Sequence, residues 1–260
     1  IDRLDMRQDT GTQLSETIHV GQTPGEGQDI IVGSVGQQTV QFEHLEPIST
    51  NIVAPSFAIT SLAGLSSLLQ DSNQINYLSS PAMGATWGRI TVDNFELIDF
   101  TNKGVVTIDA GAGSDYINLN NPFLPNGLTS LRVNGDDPTA SDTLIVNGLA
   151  NIADGFVFKT GATPDAGSVT NLGLQPSVTY TGVEHLKING QNSNTGTADT
   201  LQLDTFGTDG NIVLTPGSTF DSGHVDVRDA NFFLVNKATP LDFSGLGTGG
   251  SIKLLEAPIE

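Results

Sequence analysis

Six times along the chain a pair of apolar residues separated by one residue is followed, two or three residues later, by glycine. The pairs are Val106/Ile108 before Gly111, Leu131/Val133 before Gly135, Phe156/Phe158 before Gly161, Leu186/Ile188 before Gly190, Ile212/Leu214 before Gly217 and Leu241/Phe243 before Gly245. The glycines stand 24, 26, 29, 27 and 28 residues apart. Period-2 alternation is the signature of a half-buried strand, and glycine ends such a strand because it turns the chain at no steric cost. Each glycine is followed by a loop and a second apolar set: Ile117/Leu119, Leu144/Val146, Val169 alone, Leu201/Leu203, Val225/Val227 and Ile252/Leu254. Two positions before each stands Asp115, Asp142, Gly167, Asp199, Gly223 or Gly250, residues that start a strand from a turn. The expectation is an all-β fold: a β-solenoid, or parallel β-helix, with coils of about 27 residues. Tandem β-sandwiches are the alternative.

A second repeat has apolar pairs flanking a glutamate. It runs Val40, Phe42, Leu45, Glu46, Ile48; then Ile90, Val92, Phe95, Glu96, Ile98, Phe100; then Val178, Tyr180, Val183, Glu184, Leu186, Ile188. A degenerate copy with Asn231 in place of Glu spans 225–235. Two strands offset in this way let the chain turn a corner with its apolar face inward, and each Glu is expected to face solvent or cap a corner amide. Residues 1–50 are expected to end a preceding repeat or form an assembly arm, and 51–260 to be the main β-repeat domain. A linker is expected over 51–55 and a short helix over 61–70.

Composition narrows the function. Ten basic residues against 29 acidic ones give a net charge of −19, which repels nucleic-acid phosphates and anionic lipid. Cysteine is absent, so neither disulfides nor thiolate metal sites are available. No apolar run is long enough to span a membrane. His19, His44, His185 and His224 are scattered and suggest no zinc site.

The stretches VTIDAGAGSDYINLNNP, LTSLRVNGDDPTASDTLIVNG and VTYTGVEHLKINGQ resemble the β-strand repeat modules of large bacterial surface and secreted proteins. That resemblance implies an extracellular, non-catalytic module, whose partners are copies of itself or flanking modules of a longer parent. A start at Ile1 fits processing or a piece of something longer. The nonapeptide from Ala110 to Asn118 is similar to the calcium-binding repeat of RTX (hemolysin-type) proteins, with Ala110 in place of the first glycine, and the similarity carries over to Asp115 alone. If consecutive loops stack, Asp109, Asp115, Asn134, Asp136, Asp137 and Asp142 gather oxygens of the kind calcium takes. Local turn hydrogen bonding is the competing explanation of the same residues. The expected role is a structural module of a fibre, stalk or surface layer. A carbohydrate-binding adhesin is the alternative, and a β-helix polysaccharide lyase or hydrolase a further one. Arg132, Lys159, Lys187 and Arg228 are too dispersed in sequence to form a substrate clamp.

Overall fold

The computed structural model describes residues 2–61, 72–93, 96–136, 141–173, 175–192, 197–205, 211–219, 221–228 and 238–255. Every element among them is a strand, so the all-β expectation holds, and no helix among them is long and apolar enough to cross a membrane. The expected helix over 61–70 falls almost wholly outside the described residues, and so does Asn231.

The chain divides into two compact units, Ile1–Ala140 and Ser141–Glu260. The strands of the first are β1 (Leu4–Met6), β2 (Ser15–Val20), β3 (Gly27–Gly33), β4 (Gly36–Phe42), β5 (Ile48–Thr50), β6 (Ala54–Ser61), β7 (Gln74–Ser80), β8 (Gly84–Val92), β9 (Glu96–Phe100), β10 (Lys103–Asp109), β11 (Tyr116–Leu119) and β12 (Ser130–Asn134). They form two mixed sheets, in the orders β1-β5-β9-β8-β7-β11 and β12-β10-β6-β2-β3-β4. The second unit holds β13 (Thr143–Asn147), β14 (Gly155–Thr160), β15 (Gly167–Asn171), β16 (Ser177–Thr181), β17 (His185–Asn192), β18 (Thr200–Asp204), β19 (Asn211–Pro216), β20 (Gly223–Arg228), β21 (Leu241–Leu246) and β22 (Ser251–Leu255). Their orders are β13-β17-β21-β20-β19 and β22-β18-β14-β15-β16.

Set side by side, β1 to β10 and β13 to β22 have one topology. In both, the chain steps from one sheet to the other, and a single strand is twice replaced by a three-stranded antiparallel meander: β2-β3-β4 and β7-β8-β9, then β14-β15-β16 and β19-β20-β21. Elsewhere the pairing is parallel: β1 with β5, β5 with β9, β2 with β6 and β6 with β10 correspond to β13 with β17, β17 with β21, β14 with β18 and β18 with β22.

The meanders explain where the single glycine register breaks. Val106/Ile108 and Leu131/Val133 do lie in parallel register, but Phe156/Phe158 pair with Leu201/Leu203, while Leu186/Ile188 pair with Leu144/Val146 in the other sheet. Val169 sits on the middle strand β15, opposite Phe158. Each meander adds two strands to a sheet, so a one-strand-per-sheet count loses phase there. The glutamate repeat divides likewise. Its first and third copies pass between sheets, from β4 to β5 and from β16 to β17, whereas Ile90 and Ile98 face each other in the β8–β9 hairpin of one sheet.

One turn serves three of the meanders: Gly21-Gln-Thr-Pro-Gly-Glu-Gly27, Gly161-Ala-Thr-Pro-Asp-Ala-Gly167 and Gly217-Ser-Thr-Phe-Asp-Ser-Gly223. The first glycine's N–H donates across the loop to Glu26, Ala166 or Ser222 O at 2.7, 2.8 and 2.9 Å. A Cβ on Gly21 would stand 2.5 Å from Glu26 O, so glycine is required by close approach. The middle strand of every meander also carries a glycine opposite an aromatic: Gly27 and Phe42, Gly88 and Phe100, Gly167 and Tyr180, Gly223 and Phe243. A Cβ at Gly88 or Gly223 would meet the facing ring at 2.5 Å. The ring fills the space the glycine leaves, which fixes the pairing register.

Inside the sheets the parallel register stacks like on like. Ile18, Ile59, Ile108 and Val133 form one buried row. Asn118 donates to Asn76 at 3.3 Å and Asn189 to Asn147 at 3.1 Å, amide ladders that satisfy polar side chains within the stack.

Candidate functional site

Of the residues expected to gather around an ion, three come together. Asp109 ends β10 and Asn134 ends β12 in parallel register, and the Asn134 amide donates to Asp109 Oδ1. Asp136, in the left-handed region at φ 73°, lies close enough that burial and the Asp109 charge both raise its carboxyl above the ordinary value. Asp115 points elsewhere: it is buried, and its Oδ1 accepts the Asn73 N–H at 2.7 Å. Asp142 belongs to the second unit, where its own N–H donates to Glu184 Oε2 at 2.8 Å. Asp137 lies outside the described residues. Among the described residues no group of three or more His, Cys, Asp or Glu side chains could hold a metal ion.

What these aspartates do at the corners is bind main chain. Asp154 Oδ2 accepts the Leu149 N–H at 2.7 Å, and Asp199 Oδ1 accepts the Asp154 N–H at 2.8 Å. Asn171 and Asn192 donate to the same two carboxylates at 2.7 and 2.6 Å. Backbone amides left over where a strand begins are thereby satisfied. Burial above all, with the Asp154 charge, pushes Asp199 up to about 6 against the Asp154 N–H and Asn192. Glu184, and Glu46 with the Gly25 amide, cap corner amides as the repeat position suggested.

On β20, His224 lies between two carboxylates: Nδ1 is 2.7 Å from Asp242 Oδ1 and Nε2 is 3.0 Å from Asp226 Oδ1. Arg228 donates to Asp226 Oδ2 at 2.8 Å. Burial works against the charged ring, but the hydrogen bonds and charges of Asp242 and Asp226 outweigh it and hold His224 above its ordinary value. A groove of about 280 Å³ runs alongside, lined in part by Lys187, Thr215 and Ser222. With a carboxylate at each nitrogen the imidazole is placed as a charged strut, and Ser222 is bonded to Thr219 instead (2.7 Å).

The most heavily buried chemistry lies in the first unit. Glu16 on β2, Asp29 on β3 and Lys103 on β10 are all 0% exposed. Lys103 Nζ donates to Glu16 Oε2, to Thr50 Oγ1 at 3.1 Å and to Ile52 O at 2.5 Å, and stands 5.0 Å from the Phe57 ring centroid. All three ammonium hydrogens are thereby placed. Both Asp29 oxygens and Glu16 Oε1 are buried without a hydrogen-bond partner that meets ordinary geometry. Burial, then the Glu16 charge, pushes Asp29 up to about 8, with Lys103 opposing; burial lowers Lys103, with Glu16 and Asp29 opposing. By ladder position, Glu16 opposite Phe57 corresponds to Phe156 opposite Leu201, and Asp29 opposite Ile18 to Val169 opposite Phe158. The second unit thus builds the same place from hydrocarbon. The sequence signal for this triad is a carboxylate in an inward phase: Glu16 alternates with Ile18 and Val20, and Asp29 with Ile31.

A pH dependence follows from Asp29. Its carboxyl is raised from 3.8 to about 8, so the native state holds a proton that the unfolded chain gives up. The stabilisation is fully present below pH 3.8 and is lost as pH rises through about 8, by on the order of several kcal/mol at most. Lys103 works in the opposite sense as pH climbs to 10.5. Urea unfolding from pH 5 to 9 should show stability declining, and Asp29→Asn should flatten the decline.

No family model matches the chain, and no curated protein or solved structure shows significant similarity to it.

Proposed function

We propose that the chain is an extracellular structural module, wound as a β-solenoid with meander insertions, that joins copies of itself or flanking modules into a fibre, stalk or surface layer. The observation that carries this reading is the ten-strand arrangement occurring twice, each time with in-register parallel pairs joined to three-stranded antiparallel meanders. An arrangement of strands that recurs along the sequence can be extended by adding further copies. Composition agrees: a net charge of −19 opposes sideways clumping and leaves specific edges to decide contacts.

The strand edge that supports assembly is β4. Its one hydrogen-bonded neighbour among the described strands is β3. Residues 36–39 are exposed, and the segment Gly36-Gln-Gln-Thr-Val-Gln-Phe42 carries no charge, proline or bulge that would guard an edge. In the second unit the corresponding strand β16 is more deeply buried: Val178 is 3% exposed where Val40 is half-buried. Strand addition to such an edge gains main-chain hydrogen bonds with little demand on sequence.

Sedimentation and electron microscopy of the purified chain should show end-to-end oligomers growing with concentration. Gln37→Lys/Thr39→Lys, which places charge on the edge, should shift the material to monomer without lowering its melting temperature. A wild-type chain that stays monomeric at high concentration overturns the assembly reading.

A further inference from the structure

We infer that Lys103 and Glu16 form an intramolecular amide, with Asp29 as the acid that releases the water. The inference is independent of the assembly reading and rests on the geometry of the buried triad. The Lys103 amine already contacts the Glu16 carboxyl, both side chains are wholly buried, and Thr50 Oγ1 and Ile52 O fix the amine. Asp29 lies against Glu16 in a side-chain hydrogen bond, and both carboxyls are wholly buried.

The step balances without any outside reagent. One ammonium proton passes first to the Glu16 carboxylate that Lys103 Nζ contacts, which frees the nitrogen lone pair; Nζ then attacks Glu16 Cδ, the N–C bond forms, and the bond from Cδ to Oε1 breaks. Oε1 leaves as water with one proton from Asp29 and one from the ammonium. A second ammonium proton restores Asp29, so the net change is ammonium plus carboxylate to amide plus water. Asp29 begins and ends protonated, in keeping with a carboxyl raised to about 8.

Two physical arguments favour the product. Held amine and carboxyl groups react with effective molarities of ~10⁵–10⁸ M, which offsets the barrier that makes this condensation slow in water. The product also removes two buried charges whose desolvation opposes folding. The second unit supplies the contrast, with Phe156 and Val169 in the places of Glu16 and Asp29, so the architecture has no general need for charge there. In a chain without cysteine the amide would be a covalent tie between β2 and β10, on either side of β6.

Intact mass spectrometry of the folded full chain is the test. The expected mass is that of the sequence less one water, with a branched peptide joining Lys103 to Glu16. Peptide mapping separates this from water lost by ring closure at Asp154-Gly155. Lys103→Arg, Glu16→Ala and Asp29→Ala should each restore the full mass, and Lys103→Arg should melt at a lower temperature than wild type. A folded wild-type chain at full mass, or a link mapped to any other pair, overturns the inference whether or not the variants fold. Undiminished water loss in Asp29→Ala overturns the role given to Asp29.

Discussion

Lys103→Met is expected to destabilise the first unit by about 3–5 kcal/mol, among the largest effects of any single substitution in this chain. The methionine fills much the same volume, so packing against Phe57 is largely kept. What is lost is the positive group on which Glu16 depends. Glu16 would then be buried beside Asp29 with no cation, and the pair would have to take up a second proton or open to water. If the amide has formed, the substitution removes the cross-link as well, and the direction is the same. The complementary variant copies the second unit: Glu16→Phe and Asp29→Val together with Lys103→Met. Exchanging a buried ionic group for well-packed hydrocarbon is often neutral or stabilising by about 1–4 kcal/mol, so this triple variant should recover wild-type stability or exceed it. The single tryptophan, Trp87 on β8, lies in the first unit, and its fluorescence during urea unfolding reports on that unit. A loss below about 1 kcal/mol for Lys103→Met would mean that water reaches the triad and that Glu16 has no need of its partner.

How far the sequence led can be judged from particular residues. Alternation placed the inward residues correctly at Val106, Ile108, Leu131 and Val133, because a period of two is a property of the strand itself. It also separated Leu45 and Glu46 from Val40 and Phe42 as a corner, since passage between sheets needs a change of phase. What alternation cannot report is which sheet a strand joins. Phe156 and Leu186 carry the same local pattern, yet they lie in different sheets, because β15 and β16 intervene and fold back antiparallel. The residues that mark the meanders, the seven-residue turn from Gly161 to Gly167 and the glycine facing Tyr180, are pairs read across strands. The candidate ion site was legible in the same partial way. Asp109 and Asn134 share a register position and meet, while Asp115, which precedes its strand in the same way as Asp142, is turned to the Asn73 main chain by a contact that spacing does not encode. The buried triad was the least legible, because Glu16, Asp29 and Lys103 are separated by up to 87 positions. Only the ladder β10-β6-β2-β3 brings them into one place.

The second large effect belongs to the aromatic cluster of the first unit. Phe100→Ala is expected to cost about 3–5 kcal/mol, the range for removing a buried aromatic ring. Phe100 is 0% exposed, its ring centroid lies 5.5 Å from that of Phe57 and 6.1 Å from that of Tyr77, and its face covers Gly88 across the β8–β9 pair. Removing the ring therefore empties a cavity with walls on several sides and uncovers a glycine with no side chain to close it, so little collapse is available to reduce the loss. Gly88→Ala probes the same contact from the other strand. The new Cβ would stand 2.5 Å from Phe100 Cζ, and overpacking of that kind costs about 1–3 kcal/mol. The two substitutions should not add. In Gly88→Ala/Phe100→Ala the methyl group meets space where the ring had been, so the double variant should be more stable than the sum of the single losses predicts, with a coupling of about 1 kcal/mol or more. Trp87 adjoins Gly88 in the chain, so all three variants can be followed by the same fluorescence transition in urea. Strict additivity would show that the ring does not rest on Gly88, and the register argument built on these glycine–aromatic pairs would fall with it.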